Sequence, residues 1–208
     1  MTASTPGWAQ PANGKLRYYT TPPAVGQYIG QRIRVPRLLG PGTMVVEWSG
    51  SAWTICVGES MAILAADVSY TSVSGDVGAN VYLASFTIPA GMIPERAIMS
   101  FGLAMFQSAG ATAAIVRTFL GNNFLATSTF SGSTNGAVIY SDRRFIRRAS
   151  DAFRMSSQTA QDYIATGGES SFVVSANLSS DTAFAAGVIP NEAGDVFKLN
   201  SFYLSRDA

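Results

Sequence analysis

The 208-residue sequence contains no histidine and a single cysteine. Histidine is the residue most often used for general acid–base catalysis and for zinc binding, so its absence disfavours Ser/His/Asp triads and the usual zinc sites. Cys56 has no partner for an intrachain disulfide, and we expect it to be a small core residue rather than a reactive thiol. These absences favour a protein that is not an enzyme and that has no metal or cofactor.

Long apolar runs are also missing from the chain. Hydrophobic residues make up 47% of the sequence, yet no run approaches the ~20 residues that a membrane-spanning helix requires. Residues 1–6 lack the basic start and the apolar core of a secretory signal. We therefore expect no membrane partner.

Charge is scarce. Charged residues account for 13% of the chain, about half the share of an ordinary soluble protein, and the formal net charge is +1. Such a balance gives no long-range attraction to nucleic acid, so we expect no nucleic-acid partner. A surface with few charges also does little to oppose self-association, and we expect much of it to be buried against copies of the chain or against partners.

The stretch 81–120 carries the clearest secondary-structure signal. Pro89 and Pro94 bound a loop, because proline cannot donate a ladder hydrogen bond, and the runs on either side alternate as half-buried strands do. The residues predicted to share a face are Tyr82, Ala84, Phe86 and Ile88 before the loop, and Met99, Phe101, Leu103 and Met105 after it. More strand-like runs follow at short intervals with turn residues between them, which is typical of an all-β sandwich or barrel.

The C-terminal run has apolar residues on both faces. Phe197 and Leu199 are at odd positions and would face one side of a regular strand, whereas Phe202 and Leu204 are at even positions and would face the other. Two explanations remain open: a strand buried on both sides, or a bulge near Asn200 that switches faces. The chain has about seven or eight strands and no long helix, a number that matches a jelly roll of two antiparallel sheets.

Composition divides the chain into four parts. Residues 1–24 form an extended arm rich in Pro, Gly, Thr and Ser, and residues 25–60 form a small β-hairpin unit. Residues 61–80 are predicted to be a linker, and residues 81–208 the jelly-roll β-sandwich. Three short strands bury too little to be stable alone, so we expect the hairpin unit to rest on the sandwich or on neighbouring subunits.

Aromatic residues in the arm and in the hairpin unit have different predicted roles. Trp8, Tyr18 and Tyr19 stand in a segment with little other apolar surface, and we expect them to dock on another surface. Trp48 and Trp53 lie on either side of a predicted turn. Across a short hairpin, such a pair more often forms the core of a small sheet than a platform for sugar stacking.

The densest charge cluster contains Arg143, Arg144, Arg147 and Arg148. One interpretation is a basic patch that binds an acidic ligand, such as a phosphorylated or carboxylated surface glycan, through the planar guanidinium groups. The other is that these arginines pair with carboxylates, Asp142 among them, at a subunit interface. The second is favoured because arginine is enriched at protein–protein interfaces in general.

Acid pairs suited to glycoside hydrolysis are present only in turn-rich segments. The candidates are Asp162 with Glu169, and Asp181 with Glu192 or Asp195. A hydrolase needs two carboxyl groups about 5–9.5 Å apart across a cleft. Acids in turns are ordinarily solvated or capping residues, so these pairs are weak candidates for catalysis.

Two motifs resemble a β-sandwich module of tailed-bacteriophage structural proteins. Residues 82–93 read YLASFTIPAGMI, similar to the module's strand and its IPAGLL-like loop. Residues 108–121 read SAGATAAIVRTFLG, similar to its polar turn and KTIRVRLGG-like strand, although Ala113 stands where the family usually has lysine. Residues 25–53 are similar to the hairpin unit that often precedes the module, and residues 181–204 to its final strand.

The resemblance implies a subunit of a virion fibre, spike or head decoration, commonly a homotrimer, and it carries over no catalytic residues. The N-terminal part would attach the subunit to the particle, with Trp8, Tyr18 and Tyr19 in oligomer or particle contacts, and the sandwich would project outward. Other virion proteins and host surface polysaccharide are the further partners that it implies. Two alternatives remain open: a host-glycan-binding adhesin and a polysaccharide-degrading enzyme.

Overall fold

A computed structural model describes residues 16–65, 67–109, 113–130, 136–148, 151–154 and 173–208. These residues form fourteen strands and one short 3-10 helix, Ser74–Asp76. The strands are β1 (Arg32–Pro36), β2 (Thr43–Trp48), β3 (Trp53–Ile55), β4 (Ser60–Leu64), β5 (Val68–Thr71), β6 (Val81–Ile88), β7 (Ile98–Ala109), β8 (Ile115–Leu120), β9 (Asn123–Thr129), β10 (Ala137–Arg147), β11 (Asp151–Arg154), β12 (Val173–Ser175), β13 (Thr182–Ile189) and β14 (Val196–Arg206). Nowhere in the described ranges is there a helix that could cross a bilayer.

The strands build three antiparallel sheets. The hairpin sheet has the order β1-β2-β3. The large sheet has the order β12-β11-β10-β7-β14-β4, with β5 also paired to β14, and the small sheet has the order β6-β13-β8-β9. The large and small sheets pack face to face as a β-sandwich, with apolar residues from both in one core.

The strand pairs of the sandwich are nested, which defines its topology. β8 pairs with β9, β7 with β10, β6 with β13, and β5 with β14. The chain is therefore arranged like one long hairpin whose successive strand pairs alternate between the small and the large sheet. This alternation is the jelly-roll arrangement, so the predicted all-β jelly-roll-like sandwich is confirmed.

Phenylalanines from both sheets form the centre of the sandwich. Phe184 and Phe202 stack with ring centroids 5.2 Å apart and an interplanar angle of 11°. Phe86 contacts both of them at 5.5 and 6.3 Å, and Phe101 meets Phe184 edge-on at 6.1 Å. Offset and edge-on ring contacts of this kind add to the free energy of burying the aromatic area itself.

A bulge in β14 explains why this strand has apolar residues at both odd and even positions. The register with β7 shifts between Leu199 and Ser201, at the position where the sequence predicts a bulge as one of two explanations. As a result, Phe197 and Leu199 on one side of the bulge and Phe202 and Leu204 on the other all lie in the core with no exposed surface. The bulge explanation is therefore the correct one.

A second irregularity corrects the predicted face of β6. Tyr82 is predicted to point inward with Phe86 and Ile88, but its side chain is exposed. The pairing with β13 passes from Ala84 directly to Tyr82 across a register shift, so one extra residue of β6 turns Tyr82 outward. The ring rests instead edge-on against Phe119, with centroids 5.1 Å apart.

The segment 61–80, predicted to be a linker, contributes two strands to the large sheet. β4 pairs with β14 from Ser60 to Leu64, and β5 pairs with the preceding part of β14 from Val68 to Thr71. The prediction is wrong for these strands because β14, at eleven residues, has an edge long enough for two short strands in succession. By pairing with that edge, β4 and β5 satisfy the hydrogen-bonding groups of their backbones.

The end of the N-terminal arm lies along the hairpin sheet. Tyr19 N–H donates to Arg34 O at 2.9 Å, and Arg34 N–H donates to Arg17 O at 2.8 Å. In the hairpin, Trp48 and Trp53 are buried with ring centroids 5.4 Å apart, so the predicted two-tryptophan core is confirmed. Trp53 Nε1–H donates to Pro23 O at 2.7 Å, which joins the arm to this core.

The hairpin sheet is joined to the sandwich at the loop between β6 and β7. Ile55 N–H donates to Met92 O at 2.9 Å, and Arg206 Nη1 donates to Ile55 O at 2.6 Å. Buried residues of both parts belong to one continuous hydrophobic cluster. The hairpin turn 49–52 is thereby placed next to one end of the sandwich.

Candidate functional site

The four predicted arginines of the charge cluster do not form one patch. Side chains alternate along β10, and Arg147 faces the interior with Phe145, whereas Arg144 and Arg148 are exposed. Arg143 is half-buried, and its Nε–H donates to Ser141 Oγ at 3.2 Å. The strand period therefore divides the cluster between the two faces of the large sheet, which corrects the prediction of a single basic surface.

Arg144 is partnered within its own chain on the outer face. Its Nε lies 3.1 Å from Asp207 Oδ2 and donates to Ser100 Oγ at 3.3 Å. Ser100 Oγ in turn donates to the same carboxylate. An ion pair this exposed contributes at most about 1 kcal/mol to stability, so its main effect is to fix the C-terminus against β7 and β10.

Next to this group, Tyr203 and Asp142 form a second polar pair. Tyr203 O–H donates to Asp142 Oδ1 at 2.6 Å. Burial raises the pKa of the Tyr203 phenol, and the hydrogen bond to Asp142 raises it further. The ring reaches Asp142 by crossing Gly102 of β7, where a Cβ atom would lie 2.6 Å from the ring.

The rest of the outer face near these residues is apolar and uncovered in the isolated chain. Val138 and Tyr140 of β10 are 63% and 70% exposed. They stand opposite Phe106 and Ala104 of β7 in the strand register. We refer to these four residues as the outer patch. Large exposed apolar residues close together on one face of a sheet are typical of an interaction surface.

Arg147 is in a different environment, because its side chain is only 6% exposed. Its Nη1 donates to Ile93 O, its Nη2 donates to Ser179 Oγ at 3.3 Å, and its Nε has no hydrogen-bond partner. No carboxylate in the described ranges lies within salt-bridge distance of it. Burial lowers the pKa of Arg147, and the negative charge of Glu95 opposes that shift.

A pocket of about 440 Å³, lined by both polar and apolar groups, opens beside Arg147, at the junction of the hairpin unit and the sandwich. Its volume is within the ~300–1,000 Å³ typical of small-molecule sites. Four separate segments of the chain contribute to its walls. The lining residues are Ser49, Ser51, Ala52 and Thr54 of the hairpin, Ala90, Gly91, Pro94 and Glu95 of the β6–β7 loop, Arg147, and Ser179 of the β12–β13 loop.

The walls of this junction pocket are held together by backbone contacts. Gly91 N–H donates to Leu178 O at 3.0 Å, and Ala90 N–H donates to Asp181 Oδ1 at 2.9 Å. Gly91 has a φ of +72°, and a Cβ atom there would lie 2.9 Å from the Cβ of Ala52. The glycine therefore permits both the turn and the close approach of the hairpin.

The structure describes two of the three arm aromatics that are predicted to make contacts, Tyr18 and Tyr19. Tyr18 is 54% exposed and forms an isolated parallel bridge with Arg34, whereas Tyr19 packs against the core of its own chain. Trp8 lies outside the described residues. Of the two tyrosines, Tyr18 therefore retains the surface that a contact with another subunit or with the particle requires.

The candidate acid pair of the sandwich is not assembled. Asp181 precedes β13 and Asp195 follows it, so the two acids lie at opposite ends of an eight-residue strand. That length is about 25 Å at ~3.3 Å per residue, well beyond the spacing of a glycosidase pair. Asp162 and Glu169 lie outside the described residues. Among the residues that are described, no cluster of three or more potential metal ligands occurs.

No protein-family model matches the chain, and a search of curated proteins returns no match.

Sequence reasoning found Arg147 but missed the pocket around it. The missed residues are small and polar, such as Ser51, Thr54 and Ser179, and nothing in their local sequence indicates a site. The parity of Arg147 in β10 was an available signal, because it places the guanidinium on the same face as Phe145 and Ser141. An arginine on the buried side of a strand requires polar partners inside the fold.

Proposed function

We propose that this chain is a non-enzymatic structural subunit that assembles with copies of itself through the outer patch, as part of a bacteriophage virion. The observation that carries the self-assembly is the exposure of Val138 and Tyr140 on the outer sheet face next to Phe106. A near-neutral chain with few charged residues offers little electrostatic repulsion between identical copies. Burying such a face between subunits is favourable at about 25 cal/mol per Å² of apolar area.

The virion assignment and the trimeric state rest on the sequence resemblance. Phage modules with an IPAG-type loop and a following strand pair of this kind are jelly rolls, and the chain is a jelly roll. The sandwich would project outward from the particle as a tail fibre, spike or head decoration. The N-terminal part, including the exposed Tyr18, would attach it.

The self-assembly is tested by the molar mass of the purified full-length chain. We expect light scattering after size-exclusion chromatography to give three times the chain mass of 21.9 kDa. Tyr140→Lys and Val138→Lys place charge in the outer patch and are expected to shift the protein to the single-chain mass, because a buried unpaired charge is strongly unfavourable at an interface. Circular dichroism checks that the variants keep the β fold.

Val57→Lys is the matched control for these variants. Val57 is also an exposed valine, but it lies in the loop after β3, away from the outer patch. We expect Val57→Lys to leave the molar mass unchanged. A wild-type chain that stays at 21.9 kDa across the micromolar range would contradict self-assembly of the isolated chain. Particles of the source phage that carry no label from an antibody against the chain would contradict the virion assignment.

A host-glycan-binding adhesin is a second candidate, and the junction pocket is the observation that favours it. The pocket lies on loops at one end of a rigid sandwich, which is where β-sandwich proteins commonly bind ligands. If three copies assemble, three such sites on one body would raise the effective concentration of each. The saccharide titrations that test the pocket also test this candidate.

A further inference from the structure

We propose that the junction pocket binds the carboxylate of an acidic sugar, such as a uronic acid, with Arg147 as the anion-binding residue. All of the described lining residues belong to one chain and none belongs to the outer patch, so the proposed binding requires neither assembly nor that patch. A failure of the binding experiment and a failure of the molar-mass experiment are therefore independent results.

The charge balance at Arg147 is the first argument. Arg147 as a residue is only 6% exposed, and within the described ranges its guanidinium donates to two neutral acceptors, Ile93 O and Ser179 Oγ. Buried charges are ordinarily paired, because removing an unpaired charge from water is very unfavourable. An anion entering from the pocket would supply the missing negative charge.

The second argument is the supply of unused donors. Guanidinium carries five N–H groups, and Arg147 directs two of them to Ile93 O and Ser179 Oγ. Nε is buried and without a partner, so the donors left for a ligand are the second N–H groups of the two Nη atoms. The two Nη atoms of one arginine match the spacing of carboxylate oxygens and bind them in a fork.

The hydroxyl groups around the pocket favour a sugar over a simple anion. Ser49, Ser51, Thr54 and Ser179 line it, and a hydroxyl can both donate and accept a hydrogen bond, as the hydroxyls of a sugar do. Glu95 also lines the pocket, at its exposed side. Its carboxylate would repel a ligand in proportion to the negative charge of that ligand, which favours a singly charged ligand over phosphate.

The binding test uses calorimetric titration of the full chain with four probes: glucuronate, galacturonate, glucose and inorganic phosphate. We expect saturable binding of at least one uronate and at least about tenfold weaker binding of glucose, because glucose lacks the carboxylate that would accept charge-assisted hydrogen bonds from Arg147. If phosphate bound as tightly as a uronate, the pocket would be a general anion site, and the proposal that it binds an acidic sugar would be overturned. Equal binding of glucose and both uronates, or no binding of any probe, would overturn the proposal.

Variants at the pocket distinguish Arg147 from the other arginines. Arg147→Lys keeps a positive charge but loses the fork, and we expect it to weaken uronate binding by about tenfold or more. Arg144→Gln is the matched control, because Arg144 lies on the opposite face of the same strand, and it should bind uronate like wild type. Wild-type affinity in a folded Arg147→Lys protein would overturn the assignment.

Glu95→Gln tests the same site without changing a buried residue. Glu95 is exposed, so its replacement is expected to leave folding intact. Removing its negative charge should strengthen uronate binding and leave any glucose binding unchanged, because only the charged ligand is repelled. Unchanged uronate affinity in Glu95→Gln would contradict the position of the ligand between Glu95 and Arg147, even if Arg147→Lys failed to fold.

Discussion

At the scale of single residues, Gly102 shows how one missing side chain permits a contact across the large sheet. The residue lies inside β7, where glycine ordinarily weakens a strand. Here the space above it is occupied by the ring of Tyr203, which crosses β7 to donate to Asp142 on the neighbouring strand. A side chain at position 102 would exclude the ring, so this glycine is required by packing.

Gly102→Ala is expected to destabilise the protein by about 1–3 kcal/mol, the usual penalty for overpacking. The added Cβ would lie 2.6 Å from both Ser141 O and the Tyr203 ring, and the backbone oxygen has little freedom to move away. Gly75→Ala is the control, since a Cβ there has no neighbour within 4 Å. Urea denaturation measures both, and equal stability of the two variants would contradict the argument.

At the scale of elements, the connection between β5 and β6 is organised by Asp76. Its carboxylate accepts from Val73 N–H at 2.9 Å and from the phenol of Tyr70 at the end of β5. The hydrogen bond from Tyr70 and that from Val73 lower the pKa of Asp76. Burial and the hydrogen bond to Asp76 raise the pKa of Tyr70 to about 12. The hydrogen bond between Tyr70 and Asp76 therefore holds the β5–β6 connection against β5 while Asp76 is ionised and Tyr70 is protonated.

Tyr70→Phe is expected to lower the free energy of unfolding at neutral pH, with the difference from wild type shrinking in acid. The pKa of Asp76 is lower in the folded state, so its stabilising contribution is present above the unfolded-state pKa and is lost as pH falls through the folded one. The pKa of Tyr70 is higher in the folded state, so its contribution is lost as pH rises towards about 12. Chemical denaturation at acidic, neutral and alkaline pH measures these differences.

Tyr28→Phe serves as the control for this pH series. Tyr28 is 45% exposed and precedes β1, outside both the outer patch and the β5–β6 connection, and its hydroxyl should not affect the Asp76 equilibrium. A Tyr70→Phe deficit that is the same at acidic and neutral pH would show that the hydroxyl does not act through the Asp76 carboxylate.

At the scale of the whole molecule, the hairpin unit and the sandwich share one hydrophobic cluster and several backbone hydrogen bonds. Ile55 is fully buried at their junction, with its N–H bonded to Met92 O and its carbonyl bonded to Arg206. Three short strands do not form a stable sheet by themselves. The two parts are therefore expected to unfold together.

We expect fluorescence of Trp48 and Trp53, which reports the hairpin unit, and far-ultraviolet circular dichroism, which reports mainly the sandwich, to give the same denaturation midpoint. Ile55→Ala should lower both midpoints equally, with a loss of about 2–5 kcal/mol. Val57→Ala, at an exposed position two residues further on, should change neither. A fluorescence transition that precedes the circular dichroism transition would contradict a single cooperative unit.

The sequence predicted the fold class and much of the strand content because both follow from local patterns. The alternation from Met99 to Met105 and the prolines at 89 and 94 placed β7 and the loop before it. The face of Tyr82 and the strand pairing of 61–80 were mispredicted, because they depend on register shifts and on which strand edge is available. Neither of these has a signature within the segment concerned.

By itself, the sequence determined the period of each strand, the position of the turns and the low charge of the surface. Those properties are set by neighbouring residues along the chain, and they specify β-structure before any long-range contact forms. The strand period also places Arg144 and Arg147 on opposite faces of β10. Only the tertiary structure decided that Thr54, Gly91 and Ser179 meet beside Arg147. The reason is physical: a pocket is made by segments distant in sequence, and their approach is fixed by sheet pairing and core packing.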